Sequence, residues 1–103
     1  MHATIRRYEG VDTNRTDELT AKVGESLVPE LRKLEGFKGY YLIEAGDGVI
    51  SSFGLFDTPS QVDEATKVAA SWVTSSGLES AFPNAPKITT GKVIKHETGV
   101  AAA

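Results

Sequence analysis

Polar and apolar positions alternate in short runs that are interrupted twice by a helical stripe. Residues 2–8 (HATIRRY) carry β-branched and aromatic side chains ahead of Glu9-Gly10, which predicts a short strand. Between residues 13 and 34 the apolar positions Leu19, Val23, Leu27, Leu31 and Leu34 fall on one stripe, a spacing that fits a helix and no strand. Pro29 lies inside that stripe. Proline removes a backbone donor and crowds the preceding turn, so the pattern predicts a kink or two abutting helices. Gly36 ends the segment, as a residue free to turn left-handed does. Residues 37–45 and 49–57 read as strands around Gly46-Asp47-Gly48. Asp-Gly suits a type I′ hairpin turn, in which both central residues need positive φ. Thr58, Pro59 and Gln61 form a cap, first-turn proline and capping-box signature. The helix they open runs to about residue 76, with Val62, Ala65, Ala69, Trp72 and Val73 on one face and Gly77 at its end. Residues 78–87, with Pro83, Asn84 and Pro86, read as a loop with room for one helical turn, and residues 88–96 as the last strand.

The order is therefore β-α-β-β-α-β, the split βαβ or ferredoxin-like arrangement of the α+β class. Right-handed crossovers put both helices on one face of a four-stranded antiparallel sheet, in which the first and last strands pair. Residues 1–96 are expected to form a single domain. Residues 97–103 (ETGVAAA) carry no pattern and are expected to be a disordered tail.

A two-residue turn at Asp47-Gly48 predicts the hairpin pairs Tyr41–Gly54, Ile43–Ser52, Leu42–Phe53 and Tyr40–Leu55. On that register one face carries Tyr41, Ile43, Ala45, Ile50 and Phe56, and the other Tyr40, Leu42, Phe53 and Leu55. Both are apolar, whereas an antiparallel sheet with one wet face alternates. Two helices cover one face only. The other is expected to meet a second copy of the sheet, because two-fold homodimers are the commonest oligomers. A one-residue register error would mix these faces.

Composition narrows the partners. A net charge of −3, a pI near 5.3 and scattered basic residues argue against non-specific nucleic-acid binding. Without cysteine there is no disulfide, thiolate metal site or thiol nucleophile. No apolar run approaches the ~20 residues that span a bilayer. Residues 1–8 lead straight into a strand without an apolar leader, so the expectation is a cytoplasmic protein. No cofactor is expected, neither metal nor flavin. Gly46-Asp47-Gly48 is a turn and not a phosphate-binding fingerprint, and Ser51, Ser52 and Ser71 lack the surroundings of a nucleophile elbow.

The stretch Leu34-Glu35-Gly36-Phe37-Lys38-Gly39-Tyr40, followed by a strand pair and a capped helix, resembles the antibiotic biosynthesis monooxygenase-like superfamily of dimeric α/β-barrel proteins. In that family a similar GF-GY element opens the second strand. As an element order the resemblance covers residues 2–96; as a motif it covers a few residues. It implies two sheets forming a barrel across a dimer, and a ligand cavity between the helices and the sheet of each subunit. Members include oxygenases that need no metal or flavin and haem-degrading enzymes. The haem branch combines Asn, Trp and His. Trp72 is present here, but the first strand has no Asn, and His2 and His96 sit near the chain ends.

Four residues are candidates for a ligand site. Arg7 shares a strand face with Ala3 and Ile5, which the apolar pattern places under the helices. An arginine there needs an anion, such as a substrate carboxylate or phenolate; at the strand end it would instead reach water. Trp72 lies on the inward stripe, as core or as a wall for a flat ligand. Tyr41 faces Gly54 on the expected register, as plain cross-strand packing or, with Ser52, as the polar edge of a gap. His2, His96 and Glu97 lack the spacing of a metal set. Two functions follow. One is a homodimer that binds a small aromatic or anionic molecule through Arg7, Tyr41, Ser52 and Trp72. The alternative is a cofactor-independent monooxygenase acting on an aromatic or polyketide-like substrate, for which no general base is recognisable.

Overall fold

A computed structural model describes residues 1–97 of the 103. Residues 98–103, nearly all of the expected tail, lie outside the described residues. Strands β1 (His2–Tyr8), β2 (Phe37–Gly46), β3 (Val49–Phe56) and β4 (Lys87–Lys92) form one antiparallel sheet in the order β2-β3-β1-β4. This is the α+β ferredoxin-like arrangement that the element order predicts. No helix among the described residues is long and apolar enough to cross a membrane.

The first helical region is broken where Pro29 requires it. Helix α1 (Thr16–Lys22) passes through a π turn, Val23–Leu27, into α2 (Val28–Arg32), with Pro29 in the first turn of α2. The Val28 N–H reaches back five residues to the Val23 carbonyl. The wider turn relieves the clash that proline makes in a regular helix. It also keeps the stripe aligned. Steps of four residues advance by more than the 3.6 of one α-turn, so Leu19, Val23, Leu27 and Leu31 would drift round a regular helix. All four are at most 5% exposed, because the wide turn takes up the excess. Helix α3 (Pro59–Ser75) starts at a complete capping box formed by Thr58 and Gln61, as the sequence indicates. It buries Val62, Ala65 and Trp72.

The hairpin register differs from the expected one. Asp47 and Gly48 do occupy the turn, with φ of 53° and 75°, and Gly46 pairs with Val49. Gly46 is itself at φ 86°, and a bulge between Glu44 and Gly46 leaves Ala45 as an extra residue in β2. The pairs beyond it are Leu42–Ser52, Tyr41–Phe53 and Tyr40–Gly54. A slip of one exchanges the faces of β2. Tyr40 and Leu42 therefore join Ile50, Ser52, Gly54 and Phe56 under the helices. Tyr41 and Ile43 join Phe53 and Leu55 on the opposite face.

Strand β1 also presents the face opposite to the expected one. Its inward residues are Thr4, Arg6 and Tyr8, each at most 9% exposed, while Ala3, Ile5 and Arg7 lie on the open face. Strand β4 is shorter than the expected 88–96. His2 pairs with Lys92 and the Val93 N–H bonds the Met1 carbonyl, after which β1 offers no further partner. His96 thus lies beyond the strand. Between α3 and β4, a single 3-10 turn at Glu79–Ala81 buries Leu78 and Ala81.

Candidate ligand site

Five polar side chains lie on the inner face of the sheet where an ordinary core would be apolar. Thr4, Arg6 and Tyr8 come from β1, Ser52 from β3 and Tyr40 from β2. They are neighbours because the register sets Thr4 and Tyr40 on either side of Gly54, and Arg6 beside Ser52. Gly54 has no side chain to fill the middle of that row. Above it lie the stripe of α1 and the π turn and, from α3, Ala65, Thr66, Ala69 and Trp72. The space left between them is a cavity of about 50 Å³. At about 10–15 Å³ per water, it has room for a few water molecules or one small polar group.

Arg6 is the unusual member. It is 5% exposed, and its Nη2 donates to the Thr66 carbonyl of α3 at 2.9 Å. Among the described residues its Nε has no hydrogen-bond partner. Among the described residues no ion pair involves Arg6. A buried guanidinium keeps its charge, so a site with no counter-charge is expensive unless an anion comes to it. Thr4, two residues away on the same strand face, is 6% exposed, and among the described residues its Oγ1 is also without a partner. By contrast Arg7 is on the open face with its side chain 53% exposed, and its Nε donates to Glu9 at 3.0 Å. Arg7 and Lys87 hold the Glu9 carboxyl below its ordinary value.

Trp72, 9% exposed, donates from Nε1 to the Ser26 hydroxyl at 2.6 Å, and Ser26 in turn donates to the Lys22 carbonyl at 2.9 Å. The π turn is what carries Ser26 to this position. Trp72 also borders an outer groove of about 400 Å³ between α2 and α3, which Glu30, Lys67 and Ser71 help to line. It lines both the groove and the cavity.

Of the four residues expected from sequence, the structure brings Ser52 and Trp72 to the cavity and leaves Arg7 and Tyr41 on the other side of the sheet. Tyr41 is 61% exposed there. Thr4, Arg6 and Tyr40 line the cavity in their stead, through the glycine-borne bulge in β2 and the reversed face of β1. His2 and His96 do not meet, and no group of three or more His, Cys, Asp or Glu residues that could hold a metal ion occurs among the described residues.

Burial raises the Tyr40 phenol above its ordinary 10.0, and nearby Ser52 and the Arg6 charge pull it down without offsetting that. The folded state therefore holds this proton more tightly than the unfolded chain. The associated stability is present below about pH 10 and is lost as pH rises through the raised value. Urea unfolding at about pH 9 and pH 11 should show a steeper loss for wild type than for Tyr40→Phe. Parallel curves would remove Tyr40 from the buried set.

No family model and no curated protein sequence matches the chain. Solved structures do. A protein of unknown function from Nitrosomonas europaea aligns at TM-score 0.74 and 13% identity, over 96% of this chain and 94% of its own. A monooxygenase of Streptomyces coelicolor, in complex with nanaomycin D, aligns at 0.67 and 15%, over 94% and 90%. A dimeric ferredoxin-like protein from an uncultured marine organism aligns at 0.63 and 12%, over 94% and 96%. Proteins provisionally named antibiotic biosynthesis monooxygenases, from Nitrosomonas europaea, Bordetella bronchiseptica and Caulobacter crescentus, align at 0.69 to 0.72. The chain has the fold of the antibiotic biosynthesis monooxygenase-like proteins. At 11–16% identity the likeness is one of fold, and function rests on the site itself.

Proposed function

We propose that the protein is a homodimer, paired through the open face of its sheet, that binds a small anionic molecule between helices and sheet. The observation that carries the ligand is Arg6: buried, without a carboxylate partner, and beside the cavity. The dimer is supported by the open face, where Ile5, Phe53 and Leu55 are only half-buried and Tyr41 and Ile43 are 61% and 44% exposed. Such contiguous apolar area marks an interface. The dimeric protein of the same fold supports it too.

The cavity is far below the ~300–1,000 Å³ of a drug-sized pocket, so it takes an acid group as it stands. An attached ring would need Trp72 to swing towards the outer groove. Trp72 is the only tryptophan, so its emission reports on this event. Titration with benzoate should quench or shift the emission, and Arg6→Met should weaken binding by ~1.5–3 kcal/mol, the worth of a charged hydrogen bond. An emission spectrum that millimolar benzoate leaves unchanged would remove the site.

The second reading is the cofactor-independent monooxygenase, favoured by the Streptomyces neighbour of the same fold. In that chemistry a substrate carbanion reacts with oxygen, and Arg6 would stabilise the anion. It ranks second because the cavity lining contains no histidine, aspartate or glutamate to remove a substrate proton. Oxygen uptake with polyketide-like aromatic substrates tests it, and none above the no-protein control would remove this reading.

A further inference from the structure

The cavity between helices and sheet presents hydrocarbon to its interior. Leu19 and Leu27 line it from the helical stripe, Ile50 and Phe56 from β3, and Ala65 and Trp72 from α3. The polar groups around it are engaged with one another or turned away. Arg6 Nη2 donates to the Thr66 carbonyl at 2.9 Å, and the Thr66 hydroxyl donates to the Val62 carbonyl at 3.0 Å. The Tyr40 phenol and the Ser52 hydroxyl are bonded to each other. Thr4 Oγ1 and Arg6 Nε, without partners among the described residues, are themselves inaccessible, so nothing in the space reaches them. A buried water needs about two to four polar partners, and the wall does not turn them towards the space.

An apolar cavity of ~150 Å³ stays dry and takes up benzene or xenon. At about 50 Å³ this one is too small for a ring and large enough for a xenon atom or a diatomic gas. We infer that it is a dry binding site for one small apolar molecule, and that its guest in aerated solution is dioxygen. Dioxygen has no charge and no dipole, so hydrocarbon walls gain dispersion contact with it and forfeit no hydrogen bond. Water dissolves such a molecule poorly for the reason that drives apolar groups together, and transfer into the cavity is favoured. The inference goes beyond the anionic-ligand reading, in which an acid would have to displace this guest. To the oxygenase reading it adds a resting place for the second substrate.

The test places the full chain, with isotope-labelled methyl groups, under xenon and then under oxygen pressure, followed by NMR. Xenon should shift the methyl signals of Leu19, Leu27, Ile50 and Ala65 along a curve that saturates. Ile94, 92% exposed, should respond only in proportion to pressure. Paramagnetic oxygen should enhance the relaxation of the same four residues severalfold more than that of Leu78, which is buried away from the cavity, and xenon should suppress the difference. Ala65→Val fills part of the space and should abolish the saturable shifts, with the thermal midpoint held or raised. Leu27→Ala works in the opposite direction and keeps the test decisive where the added methyl groups do not fit: it should admit benzene, which the wild type excludes. Benzoate titration is a separate measurement, and its failure removes the anionic-ligand reading while saturable xenon shifts still uphold this one. Xenon shifts linear at every methyl group, or magnetisation transfer from water to the cavity methyl groups, overturn the dry site. Oxygen relaxation no greater at these methyl groups than at Leu78 overturns dioxygen as the guest.

Discussion

Phe53→Glu should convert the proposed dimer, of twice the 11.0 kDa chain mass, into a monomer, or unfold it. Phe53 sits in the middle of the open face, paired with Ile5 on one side and Tyr41 on the other. Leu55, Ile43 and Val49 extend the same apolar surface. Across a two-fold axis the substitution would introduce two carboxylates into a dry interface, with no cation opposite them. An unpaired ion so placed costs several kcal/mol, and symmetry doubles the charge. Phe53→Leu keeps the apolar character and should sediment as the wild type does. Arg7 and Lys87 lie at one border of the face and are already committed to Glu9. Sedimentation at micromolar concentration gives the answer directly. A wild type that runs as a monomer there would end the proposal before any variant is made.

What the sequence discloses follows the strength of each local signal. The capping box at Thr58, the helical stripe of α1 to α2, and the Asp-Gly turn are each a pattern with one physical solution, and the elements formed where they indicate. The break at Pro29 was foreseeable too, although its form, a π turn that realigns the stripe, depends on the sheet beneath. The faces of the strands were harder. Two glycines flank Asp47, and Gly46 at φ 86° supports a bulge as readily as Gly48 supports the turn. Nothing local decides between them. In β1 the rule that apolar residues turn inward favoured Ala3 and Ile5, and the rule fails at this strand. Its inward positions are Thr4, Arg6 and Tyr8, and its apolar ones lie on the open face. Polar residues at inward positions break the pattern that the rest of the fold obeys. The adjacent pair Arg6-Arg7 offered both outcomes from one place in the sequence. Which of the two is buried was set by the pleat and by the cover that α3 provides.

Trp72→Ala should have the largest effect on stability of any single truncation at the site, about 3–5 kcal/mol, the range for removing a buried aromatic. A domain of this size has about 5–15 kcal/mol in all, so urea unfolding should show a midpoint shifted by a large fraction of its value. Two components can be separated. Trp72→Phe retains most of the ring volume and removes the N–H bond to Ser26, and should cost ~1 kcal/mol. Ser26→Ala removes the same bond from the other side, so the double variant should show an interaction energy of comparable size. The effect on ligand binding has the opposite sign. Trp72 is packed at 9% exposure, bonded to Ser26, and lines both the cavity and the outer groove. Its removal is expected to join a space of about 50 Å³ to one of about 400 Å³ and to leave Arg6 in place. Benzoate affinity, followed by calorimetry because the fluorophore is gone, should therefore be retained or increased while the fold is weakened. A fall in affinity alongside the fall in stability would make Trp72 a stacking surface for the ligand instead of an obstacle to it.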